Sequence, residues 1–373
     1  MGYDGKFRDA VRFVFFLMVL LVLLAAVEGC NSPDNGKTKV QPPLGGVLLK
    51  GAGATFPSLL YRKWFAEYHN SHPDTVISYE AVGSGEGIRR FIGKNVKEDD
   101  KVDFGGSDAA MKDEEIAQVP GGVLLLPVTA GSVVLAYNLP GFDGDLRLSR
   151  KAYAGIFSGV IKKWNDPIIV RSNPRKKLPD IYITTVVRQD RSGTTFAFTN
   201  HLDAISQDWH SRHGAATLVN WPGNAMRATG SEGVAGRIKQ AIGSIGYVSY
   251  EFAHNLGLKL AVLENREGKF VAPTADSYTA SFKNVVMPGN LRIFIPDPAG
   301  PDSYPIVTFS WILLYKDYNN PEKSKAIHDL FNWCLLEGQK FAPQIGYVQL
   351  PPDVVDKALA ALDSVTQTAA GHK

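Results

Sequence analysis

Three short segments bring glycine and small hydroxyl residues to points where a β-like apolar run passes into a helical pattern. They are GAGATFP at 51–57, AVGSGEGIRR at 81–90 and RSGTTF at 191–196. The first turn of a helix has unpaired N–H groups and a partial positive charge, so several such turns converging on one cleft can bind an anion. Ordinary helix capping explains each segment taken alone. Their joint occurrence beside VVRQD at 186–190 and VDFGGSDA at 102–109 favours an anion site.

The elements that must position these segments alternate between β-like and helical patterns, which predicts an α/β architecture. A helix is predicted at about 57–70, where Leu60, Trp64 and Tyr68 recur at i, i+4 and i+8 as a core stripe. A second helix is predicted at about 86–95. Further strands are predicted in GVLLLPV (122–128), GSVVLAYNLP (131–140), IYITTVV (181–187), SIGYVSY (244–250) and PIVTFSWILLY (305–315), with closing helices near 321–337 and 352–363.

The composition is that of a soluble globular chain, with 373 residues of which 45% are hydrophobic and 21% are charged. This length suggests roughly two or three domains, and two globular lobes are the starting expectation. The formal net charge of +3 is no footprint for nucleic acid, so no nucleic-acid partner is expected and an anionic ligand must be captured by local groups. The helical spacing of Ile327, Leu330 and Cys334 predicts that this cysteine is a core residue.

The N-terminus has the pattern of a secretory signal over residues 1–29. Basic residues precede the apolar run Phe13 to Val27, which is shorter than the roughly 17 residues that a spanning helix needs at minimum. The sequence VEGC, ending at Cys30, resembles a bacterial lipobox, with Glu28 as an unusual neighbour; simple secretion and a single-pass anchor are the alternatives. The protein is expected in the periplasm or at the cell surface, anchored by lipid on Cys30 through a flexible tether at 30–46.

Enzyme and metal chemistry find little support in the sequence. Ser192 is not part of a G-x-S-x-G elbow and has no histidine near it along the chain, which argues against a hydrolase. The pairs His69/His72 and His210/His213 come without a cluster of further ligands, so neither a metal nor a cofactor is expected.

Together, these segments, GIFSGVIKKWNDP at 155–167 and the closing helices resemble the phosphate-binding receptors of bacterial Pst-type ABC importers, over roughly residues 48–365. The resemblance implies a two-lobed type II periplasmic-binding-protein fold, each lobe a mixed sheet flanked by helices, with the ligand in the cleft between them. It implies a monomer that binds inorganic phosphate, delivers it to membrane permease subunits and catalyses nothing. By the same resemblance, lobe I comprises 47–128 plus 308–373 and lobe II comprises 129–307.

The resemblance also assigns residue roles, carried over motif by motif. The phosphate-binding residues that it implies are Thr55, Phe56, Ser84, Asp108, Arg188, Ser192, Gly193 and Thr194. Arg188 would bind two phosphate oxygens at once through its planar guanidinium. Asp190 is then expected to orient Arg188.

Asp108 is the expected source of selectivity. An ionised carboxylate only accepts hydrogen bonds, so it requires a ligand that still carries a proton. Phosphate carries one near neutrality whereas sulfate does not, so a single buried acceptor can reject sulfate. A helix N-cap is the alternative explanation of Asp108.

Two positions depart from the family pattern, because Glu86 and Arg191 stand where relatives usually have glycine. Their charges either compensate each other across the mouth of the cleft, or Glu86 simply interacts with the dipole of its own helix. Receptors for another oxyanion, such as sulfate, molybdate or a phosphonate, and a phosphate sensor without a transport role are the alternatives to an import receptor. A phosphate-ester hydrolase is the alternative among enzymes.

Overall fold

Alternating apolar and helical segments fold into a mixed β-sheet with helices packed against it. The computed structural model describes residues 42–367, with side chains up to residue 365. The predicted signal segment 1–29 and Cys30 lie outside the described residues, as does the predicted tether as far as residue 41. Residues 42–46 form a turn that leads into the first strand. Within the described part of the chain, no helix is both long and apolar enough to cross a membrane.

The described strands are β1 (Val47–Gly53), β2 (Thr75–Ala81), β3 (Phe104–Ser107), β4 (Val123–Asn138), β5 (Arg147–Leu148), β6 (Thr184–Arg188), β7 (Met226–Ala228), β8 (Ser244–Ser249), β9 (Lys259–Leu260), β10 (Val262–Glu264), β11 (Phe270–Val271), β12 (Val307–Tyr315), β13 (Asp317–Tyr318) and β14 (Thr366–Gln367). The described α-helices are α1 (Ser58–Ser71), α2 (Ser84–Ile92), α3 (Asp113–Ile116), α4 (Arg150–Phe157), α5 (Pro167–Ser172), α6 (Gly193–Ile205), α7 (Gln207–Arg212), α8 (Gly230–Gln240), α9 (Tyr250–Asn255), α10 (Ala275–Phe282), α11 (Pro321–Leu336), α12 (Ala342–Ile345) and α13 (Pro352–Leu362). Short 3-10 helices cover Glu98–Asp100 and Gly338–Phe341.

The main sheet has the strand order β2-β1-β3-β12-β4-β8-β6-β7, and β9 also pairs with β4. Strand β1 is parallel to β2 and β3, and β6 is parallel to β7 and β8. The two parallel groups are joined through β12 and β4, which run antiparallel to each other and to their outer neighbours. The helix starts that follow β1 and β2 therefore belong to the first parallel group, and the helix start that follows β6 belongs to the second.

Strand β4 differs from the prediction, because the two separate strands expected at 122–128 and 131–140 form one strand of 16 residues. Its first part pairs with β12 and its second part, from Val133 onward, pairs with β8. Pro127 cannot donate a hydrogen bond to a sheet neighbour. The register with β12 shifts between Ser310 and Trp311, opposite this part of β4, which indicates a β-bulge that accommodates the proline.

The bounds of α2 also differ from the predicted helix at 86–95, because the helix starts and ends earlier. It begins at Ser84, directly after Gly83, whose φ of 95° is unfavourable for a residue with a side chain. It ends at Ile92 because Gly93 adopts a left-handed conformation and caps the helix. The earlier start brings Ser84 into the first helical turn.

The core follows the predicted apolar stripes. Leu60, Trp64 and Tyr68 of α1 are all buried, and the indole N–H of Trp64 donates to the Gly338 carbonyl at 2.6 Å. Cys334 of α11 is completely buried, as predicted. Burial of large apolar side chains contributes about 1.5–3 kcal/mol each, so this packing fixes α1 and α11 beside the strands that carry the site.

Candidate functional site

The three predicted helix starts are present, and each follows a strand of the main sheet. Helix α1 begins just after the turn at residues 55–57, which leaves β1. Helix α2 begins at Ser84 after β2, and α6 begins at Gly193 after β6. Each helix start therefore lies at the carboxyl end of the strand that it follows, where a first helical turn has N–H groups without a partner inside the helix.

The hydroxyl of Ser84 joins two of these helix starts to the turn that follows β3. Its oxygen accepts hydrogen bonds from the N–H of Asp108 at 3.2 Å and from the N–H of Gly193 at 3.1 Å. Only glycine fits at position 193, because a Cβ there would lie 2.6 Å from both the Asp108 Cβ and the Ser84 Oγ. Three segments that are distant in the sequence thus meet at one buried point.

Arg188 and Asp190 form a two-bond ion pair beside this point. The Arg188 guanidinium donates through Nε to Asp190 Oδ1 at 2.7 Å and through a second nitrogen to Oδ2. Burial raises the pKa of the Asp190 carboxyl, but the hydrogen bonds and charge of Arg188 outweigh it, so the pKa is lowered and Asp190 is ionised. Arg188 is only 2% exposed, and a guanidinium has five N–H donors, more than Asp190 accepts.

Asp108 is 1% exposed and lies in the turn after β3. The next helix, α3, begins at Asp113, so Asp108 does not cap a helix. Its Oδ1 accepts a hydrogen bond from the Ser310 hydroxyl at 2.8 Å. Burial raises the pKa of the Asp108 carboxyl to about 7, although the Ser310 hydrogen bond and the charge of Arg188 both lower it. Near neutrality, Asp108 is therefore divided between ionised and protonated forms, whereas a fully ionised carboxylate was expected.

Two threonines place hydroxyl groups in the same region. Thr194 is 1% exposed, and its Oγ1 is buried without a hydrogen-bond partner among the described residues. A buried hydroxyl without a partner costs free energy, which a ligand oxygen at this position would offset. Thr55 lies at the start of α1, where its Oγ1 contacts the Ser231 Oγ at 3.1 Å. Phe56 is fully buried, with its backbone in the same turn.

Four further residues hold the predicted ones in place and were not predicted from the sequence. The N–H of Gly230 donates to Asp190 Oδ1 at 3.1 Å, and Ser231 contacts Thr55. Ser310 binds Asp108, and the Tyr247 hydroxyl accepts the Arg188 N–H at 3.1 Å. Of these four, only Gly230 and Ser231 could have been predicted from the sequence, because TGSEG at 229–233 repeats the pattern of glycine beside a hydroxyl residue that marks the other helix starts.

A groove of about 1050 Å³ adjoins the site and is lined in part by charged side chains. Glu86 lies in the first turn of α2 and pairs with Arg89 at 2.8 Å and with Arg90 at 2.9 Å. Hydrogen bonds from Arg89 and Arg90 lower the pKa of Glu86 to about 2, against the opposing effect of burial. The charge of Glu86 is therefore neutralised within its own helix. Arg191 contributes through its backbone, because its carbonyl accepts the Gly85 N–H at 3.0 Å.

Ser192 has a structural partner, since its hydroxyl accepts the Thr195 N–H at 3.1 Å and caps α6.

No cluster of three or more potential metal-ligating side chains occurs among residues 42–365. His210 pairs with Asp203 at 2.8 Å on the surface. His201, which the sequence did not single out, is fully buried, and burial lowers its pKa to about 4.

Comparison with known proteins gives matches along most of the chain. A family model described as a PBP superfamily domain matches residues 33–337. The chain is 38% identical over 315 residues to the phosphate-binding protein PstS of Pasteurella multocida, an alignment that covers 84% of this chain and 89% of the relative. It is 34% identical over 393 residues to the phosphate-binding protein PstS of Methanocaldococcus jannaschii, with 96% and 97% covered.

A solved structure shares the architecture. It is a high-affinity periplasmic phosphate-binding protein with phosphate bound, 23% identical to this chain, with a TM-score of 0.70 over 84% of this chain and 93% of that chain. This likeness, together with the mixed sheet, confirms the predicted fold class, an α/β type II periplasmic-binding-protein fold. The lobe boundaries stay a prediction.

Proposed function

Because the chain belongs to the PstS family of phosphate-binding proteins, we propose that it binds inorganic phosphate outside the cytoplasmic membrane and delivers it to an ABC importer. The relatives that it matches are phosphate-binding proteins, and we propose no catalytic activity. The ligand is assigned to the buried point where the helix starts meet. Transport, rather than sensing, follows from the family.

The observation that supports this assignment best is the meeting of three segments at the Ser84 hydroxyl. Helix starts α2 and α6 and the Asp108 turn approach within hydrogen-bond distance there, with the Arg188 guanidinium nearby. A buried anion needs a directed donor for each oxygen, and backbone N–H groups in fixed helix turns supply donors that need no rearrangement. We assign phosphate binding to Thr55, Phe56, Ser84, the side chain of Arg188, the capping residue Ser192, and the first two residues of α6, Gly193 and Thr194.

Asp108 gives the site a means to recognise the proton of phosphate. In its ionised form it accepts a hydrogen bond from a protonated phosphate oxygen, while the same carboxylate repels sulfate, which has no proton to offer. Since the pKa of Asp108 is raised to about 7 by burial, the protonated form becomes important at lower pH and can donate to either anion. Discrimination against sulfate is therefore expected to be strongest above pH 7.

The lobe division is proposed as predicted, with lobe I at 47–128 plus 308–373 and lobe II at 129–307. Strand β4 supports it, because it pairs with β12 in its first part and with β8 in its second. Thr55, Ser84 and Asp108 then belong to one lobe and the Arg188 segment to the other, so bound phosphate would hold the lobes together by hinge closure around the ligand.

Anchoring through lipid on Cys30, a monomeric state and docking on permease subunits complete the proposal. The lipobox-like VEGC sequence supports the anchor. Expression of the full chain and of Cys30→Ser in a bacterial host, followed by separation of membrane and soluble fractions, tests it. Anchoring predicts wild type in the membrane fraction and the variant in the soluble one; equal distribution would contradict the lipid anchor while leaving phosphate binding untouched.

Calorimetric titration of Arg188→Ala with phosphate tests the assignment of the site. Loss of a buried guanidinium removes two charge-assisted hydrogen bonds, each worth about 1.5–3 kcal/mol, so phosphate affinity is expected to fall at least a hundredfold. Arg171→Ala, which removes an exposed arginine from α5, is the matched control and is expected to bind as wild type does. Wild-type affinity in Arg188→Ala would show that phosphate binds elsewhere.

A further inference from the structure

A fourth helix start faces the site, although it was absent from the predicted set. Strand β7 ends at Ala228, and α8 begins at Gly230 and continues for 11 residues. Gly230 has a φ of 68°, a left-handed conformation that favours glycine, and this turn directs the first N–H groups of α8 toward the anion site. The pattern of glycine followed by a hydroxyl residue matches the other helix starts.

Two successive N–H groups of this turn donate to side chains of the site. The Gly230 N–H donates to Asp190 Oδ1 at 3.1 Å, and Asp190 in turn holds the Arg188 guanidinium. The Ser231 N–H donates to Thr55 Oγ1 at 3.2 Å. One helical turn thus contacts the partner of the proposed arginine ligand and one of the proposed hydroxyl ligands.

The hydroxyl groups of Ser231 and Thr55 constrain each other. Their oxygens lie 3.1 Å apart, and the side chains are 1% and 7% exposed, respectively. A hydroxyl has one hydrogen and two lone pairs. Thr55 already accepts the Ser231 N–H; if it also accepts the Ser231 O–H, both of its lone pairs are used and its own hydrogen is left to donate to the anion. In that arrangement, both hydrogen bonds polarise the Thr55 hydroxyl and strengthen it as a donor.

We propose that Ser231 is a positioning residue of the phosphate site, which acts by fixing the Thr55 hydroxyl as a donor, while the adjacent Gly230 N–H fixes Asp190 and through it Arg188. This inference rests on the proposed phosphate-binding function. Ser231 does not contact phosphate itself; its effect passes through Thr55.

A double-mutant cycle tests this coupling. Phosphate affinity is measured by calorimetry for wild type, Ser231→Ala, Thr55→Ala and the double variant, with the free energy of unfolding measured alongside. Ser231→Ala is expected to weaken phosphate binding roughly three- to tenfold and Thr55→Ala by about tenfold. The double variant is expected to bind as Thr55→Ala does, because Ser231 has nothing left to orient. Ser231→Thr keeps the hydroxyl and is expected to restore at least half of the lost binding free energy.

Ser206→Ala is the matched control, since Ser206 also lies at a helix start and its hydroxyl accepts the Trp209 N–H at 3.2 Å, away from the site. It is expected to reduce stability without changing phosphate affinity. Unchanged phosphate affinity in Ser231→Ala would overturn the positioning role. So would a loss of affinity on Ser231→Ala substitution that is equally large in wild type and in Thr55→Ala. If wild type binds no phosphate, the proposed function itself fails, which is a separate result.

Discussion

Replacing Asp108 with asparagine is expected to stabilise the ligand-free protein in a way that depends on pH. The carboxyl is 1% exposed, and burial raises its pKa from 3.8 to about 7 against the lowering effects of Ser310 and Arg188. In the unfolded chain, the same carboxyl ionises near its ordinary pKa of about 3.9. The folded protein therefore binds this proton more tightly than the unfolded chain does, and ionisation of Asp108 at neutral pH costs stability.

The size of this effect follows from the pKa. A rise from 3.8 to about 7 corresponds to on the order of 4 kcal/mol, because each tenfold change in proton affinity is about 1.4 kcal/mol. The contribution of neutral Asp108 to stability is complete below the unfolded pKa and is lost as the pH rises through the folded pKa of about 7. Asparagine has a similar shape, carries no charge and keeps an oxygen for Ser310. The free energy of unfolding of Asp108→Asn, relative to that of wild type, is therefore expected to rise by roughly 2–3 kcal/mol as the pH is raised from about 5 to about 8.

Urea unfolding followed by tryptophan fluorescence, in phosphate-free buffer at about pH 5 and pH 8, gives the free energy of unfolding of both proteins. All other titrating groups are shared, so the difference between the two proteins isolates Asp108. Asp356→Asn, an exposed position on α13, serves as the control and is expected to show no such change with pH. A stability difference for Asp108→Asn that is the same at both pH values would refute the reasoning.

Two other substitutions probe the same region. Gly193→Ala places a Cβ 2.6 Å from the Asp108 and Ser84 side chains. Because an overpacked core position costs about 1–3 kcal/mol, phosphate affinity measured by calorimetry is expected to fall at least about fivefold. Gly236→Ala, with open space around it on α8, is expected to leave affinity unchanged. Ser310→Ala removes a hydrogen bond that lowers the Asp108 pKa, so sulfate binding is expected to persist to higher pH than in wild type; identical pH profiles in sulfate titrations would contradict this.

The local parts of the site were predictable because they depend on neighbouring residues. A glycine next to a small hydroxyl residue, at the end of an apolar run, predicts a strand-to-helix turn wherever it occurs, and the helix starts at Ser84 and Gly193 follow that rule. The stripe of α1 and the burial of Cys334 were likewise predictable from helical periodicity.

The remaining features depend on contacts between distant parts of the chain. Ser231 and Thr55 are 176 positions apart, and Ser310 and Asp108 are 202 positions apart, so nothing local pairs them. The raised pKa of Asp108 depends on complete burial, which the sequence does not specify for a single acidic residue in a glycine-rich turn. The continuity of β4 through Pro127 was missed because a bulge in its pairing with β12 accommodates the proline.

The most direct test compares phosphate and sulfate by calorimetric titration of the wild-type protein at about pH 8, where Asp108, with its pKa near 7, is mostly ionised. If the helix starts bind the anion and Asp108 accepts the proton of phosphate, phosphate is expected to bind at least a hundredfold more tightly than sulfate, as loss of a charge-assisted hydrogen bond and exposure to a facing carboxylate together predict. Equal affinities for the two anions would contradict the role of Asp108.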